Sequence, residues 1–240
     1  MRAKSQILEV WGEFACFTRP ELKVERFSYP VITPSAARAV YEAIYWKPQF
    51  RWQVTKIELL AEPHFIALRR NEVKGKAPAD RTIRQWIAGK AEPQPLWADG
   101  EEEATGRTQR QTMALKDIRY RLHAEIRPWP EQEPELPAFE AQFRRRAARG
   151  QCIYQPYLGC REFPAYFRLI EDEGHEPPAL QHDLDLGLML YDVFDLSRPG
   201  GSEDAPAISI FHGQVRAGVM DVPDYAQDAV LKGVGEQSPC

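Results

Sequence analysis

From Asp117 to Arg127 polar and apolar residues alternate without a break, with Ile118, Tyr120, Leu122, Ala124 and Ile126 set between Asp117, Arg119, Arg121, His123, Glu125 and Arg127. A period of two sends successive side chains to opposite faces of an extended chain, so this stretch is constrained to be a strand with one apolar face. The opposite face carries Arg119, Arg121, Arg127 and His123, with Glu125 the one acid set among them and Asp117 at its start. Such a face is either a solvated sheet surface or a place for an anion. A strand of this kind needs neighbours, and Gln6 to Phe17, Phe50 to Leu60 and Tyr157 to Ile170 have the composition to supply them.

Helix signals lie between these strands. Thr33 can cap a helix, Pro34 suits its first position, and Ala37, Val40, Tyr41 and Ile44 recur at steps of three and four. Tyr45 falls about 100° round from Ile44, so it can leave the core face where Pro48 forbids continuation. Phe139, Phe143 and Ala147 mark a second helix whose flank presents Arg144, Arg145, Arg146 and Arg149, with Gly150 as its stop. Strand, helix, strand twice over predicts an α+β fold: a ferredoxin-like, RRM-type domain over 1–180 with an insertion at about 71–110, where only Ile83 to Ile87 suggests a helical turn. Leu184 to Leu190, Ala207 to Phe211 and Val215 to Val222 predict a small three-stranded antiparallel meander, a separate domain over 181–225. The last residues, 226–240, lack any pattern and are expected to be disordered.

A net charge of −4 over 240 residues means that charge placement, not composition, must carry any nucleic-acid argument. The N-terminus has no apolar stretch of signal length and no run long enough to span a membrane, which predicts a cytoplasmic protein with no membrane partner. Cys16, Cys152, Cys160 and Cys240 form no C-x-x-C pair, so reduced thiols are expected. The chain has no phosphate-cradling glycine loop, no G-x-S-x-G and no H-E-x-x-H, which removes the usual groups for nucleotide, dinucleotide, serine and zinc chemistry. His182, Asp183 and Asp185 alternate with leucines and read as the outer face of a strand. No metal and no cofactor is expected.

One cluster stands out chemically. Tyr45, Trp46 and Lys47 place a phenol, an indole and an ammonium at a helix end. They can be an aromatic helix end packed on the core, or a place where an unpaired nucleotide is held beside a proton-handling group. The arginine run at 144–146 is likewise either a solvated flank or a phosphate contact.

Several segments together resemble a known family. Thr18-Arg19-Pro20-Glu21, Arg26-Phe27-Ser28-Tyr29-Pro30-Val31, Thr33-Pro34-Ser35-Ala36, Glu42-Ala43-Ile44-Tyr45-Trp46-Lys47-Pro48, Arg69-Arg70-Asn71-Glu72-Val73, Arg107-Thr108-Gln109-Arg110, Ala114-Leu115-Lys116-Asp117-Ile118-Arg119-Tyr120 and Tyr157-Leu158-Gly159-Cys160-Arg161-Glu162-Phe163 are similar to the CRISPR-associated Cas5d proteins of type I-C systems, the Dvulg subtype. The likeness covers roughly residues 4 to 222. It implies a metal-independent endoribonuclease that cuts precursor CRISPR RNA within its repeat hairpin and stays on the 5′ handle with the other subunits of the interference complex. It also implies a ferredoxin-like domain followed by a small antiparallel sheet.

The implied reaction is attack of a 2′-hydroxyl on its own phosphate, giving a 2′,3′-cyclic phosphate and a 5′-hydroxyl. The resemblance implies a catalytic tyrosine at the first helix end, matched by Tyr45, and a lysine, matched by Lys116. It also implies a histidine close to that lysine, where this chain has Asp117. His123 is the nearest replacement, but seven strand residues span about 23 Å, so it ranks below the other two. Arg19, Trp46, Lys47, Arg119, Arg121, Arg127, Arg144, Arg145, Arg146 and Arg161 are the candidate RNA contacts. Two other functions stay open: a non-catalytic subunit that only caps the handle, and a general module for duplex nucleic acid, including double-stranded DNA.

Overall fold

The computed structural model describes residues 3–22, 24–94, 106–201 and 204–233. Its elements in chain order are β1 (Gln6–Ala15), β2 (Arg26–Phe27), α1 (Pro34–Ile44), β3 (Phe50–Leu59), β4 (His64–Val73), α2 (Asp80–Ile87), β5 (Arg107–Pro128), α3 (Leu136–Ala148), β6 (Tyr166–Ile170), β7 (Leu184–Asp192), β8 (Ser209–Val215), β9 (Val219–Asp221) and β10 (Val230–Lys232). The chain divides into two compact units, one of Met1–Ile66 with Met113–Cys240, the other of Ala67–Thr112.

In the larger unit the alternating stretch becomes the inner part of β5, with antiparallel β1 on one side and antiparallel β3 on the other. The sheet runs β6-β1-β5-β3-β9, with β2 and β4 also paired to β5, and a second sheet runs β10-β8-β7. α1 starts where the cap signal lies: Thr33 Oγ1 accepts from the Ala36 N–H at 3.2 Å, with Pro34 in the first turn. Its buried stripe includes Ala37, Val40, Tyr41 and Ile44, as their spacing requires. α3 closes on Gly150, whose φ of +64° lets the Gly150 and Gln151 amides reach back to Ala147 O and Arg146 O.

Aromatic rings fill the space between sheet and helices. Trp52 lies 4.8 Å from Tyr41 and 4.7 Å from Phe143, and Phe50 lies 5.1 Å from Phe139, centroid to centroid. The Tyr41 hydroxyl sits 2.9 Å from Gln6 O and 2.7 Å from Leu122 O, so it can donate to either strand and pins α1 over the β1–β5 seam. Trp52→Ala should therefore cost about 3–5 kcal/mol of stability, read from the midpoint of denaturant unfolding. A loss below about 1 kcal/mol would mean that this aromatic cluster does not hold the helices down.

Several boundaries differ from the sequence expectation. Strand structure near 157–170 is limited to β6 and a Tyr157–Pro164 bridge, because Gly159 makes a turn there with φ +81°. A Cβ at Gly159 would collide with Cys16 O, so only glycine allows this close approach. In the smaller unit β4 and β5 extend into the expected insertion, and α2 is longer than one turn. The segment Arg69-Arg70-Asn71-Glu72 hid β4, because most of that strand is exposed and shows no apolar alternation. Residues 95–105 of the expected insertion lie outside the described residues.

The C-terminal meander is corrected more deeply. Ala217 and Gly218, with φ +48° and +79°, turn the chain tightly, and β9 then pairs with β3 through Lys56↔Asp221, Ile57↔Met220 and Glu58↔Val219. Met220 is completely buried. The third strand of the small sheet is instead β10, which lies in the expected disordered tail; residues 234–240 lie outside the described residues. The stretch 181–225 is therefore no separate domain, since its last strand completes the large sheet.

Candidate functional site

α1 ends because Tyr45 adopts an extended backbone, φ −154° and ψ 118°, while its N–H still donates to Tyr41 O at 2.9 Å. From β3, Trp52 Nε1 donates to Tyr45 O at 2.9 Å, and the Tyr45 ring lies 5.4 Å from Phe50. These contacts leave Tyr45 only 5% exposed. The neighbouring residue is different: Trp46 is half exposed, while the Lys47 ammonium sits 5.4 Å over the Phe139 ring.

The last turn of α3 meets this helix end. Arg146 Nε donates to Ile44 O at 2.7 Å, which answers one of the free carbonyls at the C-terminus of α1. Among the described residues no carboxylate pairs with Arg146, so its terminal nitrogens remain available. Burial pushes the Tyr45 phenol above its ordinary value of 10, and the Arg146 charge pulls it only part of the way back. At neutral pH the pair is therefore a protonated phenol beside a guanidinium. A neutral phenol can give a proton; an uncompensated guanidinium can hold an anionic oxygen.

The expected meeting of Tyr45 with Lys116 does not occur. Tyr45 packs against Phe50, which is in register with Pro128 at the end of β5, while Lys116 lies in the middle of β5, in register with Phe14 of β1. Twelve strand residues at about 3.3 Å each separate the two by roughly 40 Å along β5. Lys116 is half exposed, its ammonium 3.8 Å from Asp117, whose φ of +53° kinks the strand there. The two groups cannot serve one phosphate. Lys116→Met is expected to leave cleavage of already bound RNA within about threefold of wild type in single-turnover assays, the size of an effect outside the site. A collapse of that rate would return the chemistry to Lys116 and away from Tyr45.

His123 is also displaced from the expected role. It is 3% exposed, its Nε2 3.0 Å from Glu58 Oε1 and 3.5 Å from Glu173 Oε1. Ligand atoms of Glu58, His123 and Glu173 lie within 4.8 Å of one another, close enough to suggest a metal. The carboxylate oxygens are already taken, however: Lys56 Nζ is 2.6 Å from Glu58 Oε1, and Arg121 Nη1 donates to Oε2 at 2.6 Å. A divalent cation would have to displace an ammonium, so these residues form a closed ionic cluster. Burial alone would raise Glu58, but hydrogen bonds from His123 and Lys56 bring it down to about 2 from an ordinary 4.5. A lowered carboxyl contributes stability above its unfolded value and loses it as the pH falls toward its folded value. The melting temperature should thus fall between pH 4.5 and 2, and Glu58→Gln should flatten that part of the curve. An identical acid limb in both proteins would contradict the assignment.

The cationic face of β5 is corrected by the same kind of neighbour. Arg119 pairs with Glu9 of β1, which also holds Arg168; Arg121 is 3% exposed on Glu58 of β3 and also donates to Pro177 O; Arg127 lies 2.8 Å from Glu125. Glu9 and Glu58 come from the adjacent strands β1 and β3, invisible to a reading of β5 alone. Of the remaining candidates, Arg19 lies 4.5 Å over the Tyr29 ring and 3.8 Å from Glu21, and Arg144 lies 3.8 Å from Glu171. Arg145 donates to Gln142 Oε1 at 2.8 Å and pairs with no carboxylate among the described residues, and Arg161 is exposed on the turn that follows Gly159. The structure thus gathers Tyr45, Trp46, Lys47 and Arg146, and disperses the others.

Comparison with known proteins gives the family context. Residues 7–223 match the family Cas_Cas5d, described as CRISPR-associated protein (Cas_Cas5). A Thermus thermophilus protein named "CRISPR pre-crRNA endoribonuclease Cas5d" is 40% identical over 228 residues, covering 90% of each chain. A protein of the same name from Mannheimia succiniciproducens is 37% identical over 235 residues, covering 94% of this chain and 97% of its own. Among solved structures, a "CRISPR-associated Protein" superposes with TM-score 0.64 at 19% identity, covering 96% of this chain and 97% of the other. A functionally uncharacterized Streptococcus mutans protein superposes at 0.62 with 18% identity, covering 96% and 98%. Both share the fold.

Proposed function

The chain belongs to the Cas5d family of CRISPR-associated proteins, and from that premise we propose that it cleaves precursor CRISPR RNA within each repeat. In this reading it acts without a metal and remains on the 5′ handle as a subunit of a type I-C interference complex. The observation that carries the reading is the protonated Tyr45 phenol beside the uncompensated Arg146 guanidinium at the joined ends of α1 and α3. As a 2′-oxygen attacks its phosphate, charge grows on the phosphorane and then on the departing 5′-oxygen. Solvent water takes the proton of the attacking 2′-hydroxyl, Arg146 answers the charge on the phosphorane, and Tyr45 protonates the departing 5′-oxygen and regains its proton from water. Trp46 and Lys47 hold the neighbouring nucleotides by stacking and by charge.

The sheet order β6-β1-β5-β3 supports reading the core as ferredoxin-like, because strands one to four of a βαββαβ unit take the order four, one, three, two. No helix among the described residues is long and apolar enough to cross a membrane.

Incubation of the purified protein with its repeat RNA in excess EDTA tests the whole reading. Products ending in a 2′,3′-cyclic phosphate and a 5′-hydroxyl are expected; arrest by the chelator, or intact RNA, would overturn it. The burial of Tyr45 favours one second reading, a handle-binding subunit without catalysis, which predicts tight RNA retention with no cut. Duplex DNA binding has lost its main support, since Arg119 and Arg121 of β5 are held internally by Glu9 and Glu58.

A further inference from the structure

Two adjoining hollows open on either side of Trp129, the first of them beside Trp46. The first, of about 350 Å³, is walled by Trp46, Trp129, Phe194 and the paired Arg38 and Glu42. The second, of about 400 Å³, is walled by Arg51, Arg127, Trp129, Tyr225 and Lys232. Trp129 and Arg51 line both, so the indole stands as the partition between them.

The two hollows differ in chemistry. In the first, Phe194 is 53% exposed with the Arg38 guanidinium 5.5 Å over its ring, which leaves the other ring face open, and Trp46 is 50% exposed. Large aromatic rings left in water around a concavity suit a flat π-system that would cover them. In the second, Asp224 lies 3.8 Å from both Arg51 and Arg127, and Arg127 is also 2.8 Å from Glu125, so the nearest carboxylate to Arg51 is one it shares. Lys232 adds a third cation, held 4.6 Å over the Tyr225 ring, and Arg127 Nε is buried without a hydrogen-bond partner. Burial is the chief cause that lowers the Arg51 guanidinium, with Arg127 and Arg38 pushing the same way against Asp224 and Tyr191.

We propose that the two hollows together receive one unpaired nucleotide of the RNA, its base between Trp46, Trp129 and Phe194 and a flanking phosphate on Arg51 and Arg127. The proposal rests on the repeat-RNA reading above and deepens it. A base enclosed on its flat sides cannot remain stacked in a duplex, so the nucleotide is single-stranded. Every base has a π-face, so the aromatic hollow tolerates any of the four and reads the absence of pairing. Because Trp46 follows Tyr45 directly, a nucleotide anchored here would set the register of the strand across the Tyr45–Arg146 pair.

Binding of the protein's own CRISPR repeat transcript, with single abasic sites placed at each unpaired position, tests this in a cycle with Trp129→Ala and Phe194→Ala. At one position the abasic change should weaken binding to wild type roughly 5- to 100-fold, and the same change should cost either variant almost nothing further. Phe194 is exposed, so its variant decides the matter should Trp129→Ala fail to fold. Additive losses at every position with wild-type binding intact would overturn the pocket alone. Failure of the wild type to retain the transcript would overturn the function and the pocket together.

Discussion

Tyr45→Phe should slow cleavage of bound repeat RNA by about 10²- to 10⁴-fold, the usual worth of a positioned proton donor, with affinity unchanged within about threefold. The ring stays against Phe50 and only the hydroxyl is lost, so the fold should survive. The role can be read as well as the loss. With its phenol held above 10 by burial, Tyr45 is a poor base and a fitting acid. An acid is needed only where the leaving group is basic. A substrate with sulfur in place of the scissile 5′-oxygen leaves as a thiolate without help, so Tyr45→Phe should cleave it nearly as fast as wild type. An equal defect on oxygen and sulfur substrates would mean that Tyr45 is not the acid, and full activity on the natural RNA would remove it from the chemistry.

Arg146→Ala should cost about 10²- to 10³-fold in the rate of the bound complex, since charge on the phosphorane develops only in the transition state. The same change removes the hydrogen bond to Ile44 O, worth about 1 kcal/mol, so thermal unfolding must be followed beside the kinetics. Arg146→Lys keeps the charge without the fork and should recover part of the rate. A loss confined to RNA affinity, with the rate of bound RNA unchanged, would make Arg146 an ordinary phosphate contact.

Much of the scaffold was legible along the chain because its signals are local. Thr33 and Pro34 started α1, Gly150 stopped α3, and alternation from Ile118 to Ile126 marked β5; each depends on residues within one or two turns or strand steps. Tyr45 was legible as a candidate for the same reason, standing where Pro48 ends a helix. Arg146 was legible only as one of three adjacent arginines. Which of them turns back onto α1 depends on the rotation of α3 against a ring cluster drawn from α1, β3 and α3.

The failures share one cause. Sequence alone pairs Lys116 with Tyr45 and leaves Arg119, Arg121 and His123 on one cationic face, because the strands that flank β5 are not visible in it. Register decides both: Phe14 and Phe50 place the two expected catalytic groups at the middle and the far end of β5, while Glu9 and Glu58 arrive from β1 and β3 to take up the cations.

By itself the amino-acid order determined the helix ends, the apolar faces of β1, β3 and β5, and the aromatic and basic groups gathered at residues 45–47, because capping and periodicity act over a few residues. Only tertiary structure decided which charges remain unpaired, that β9 joins β3, and that Arg146 rather than Lys116 stands beside the phenol. Those outcomes depend on contacts tens of residues apart, where the strength of a charge depends on the partner that packing brings to it.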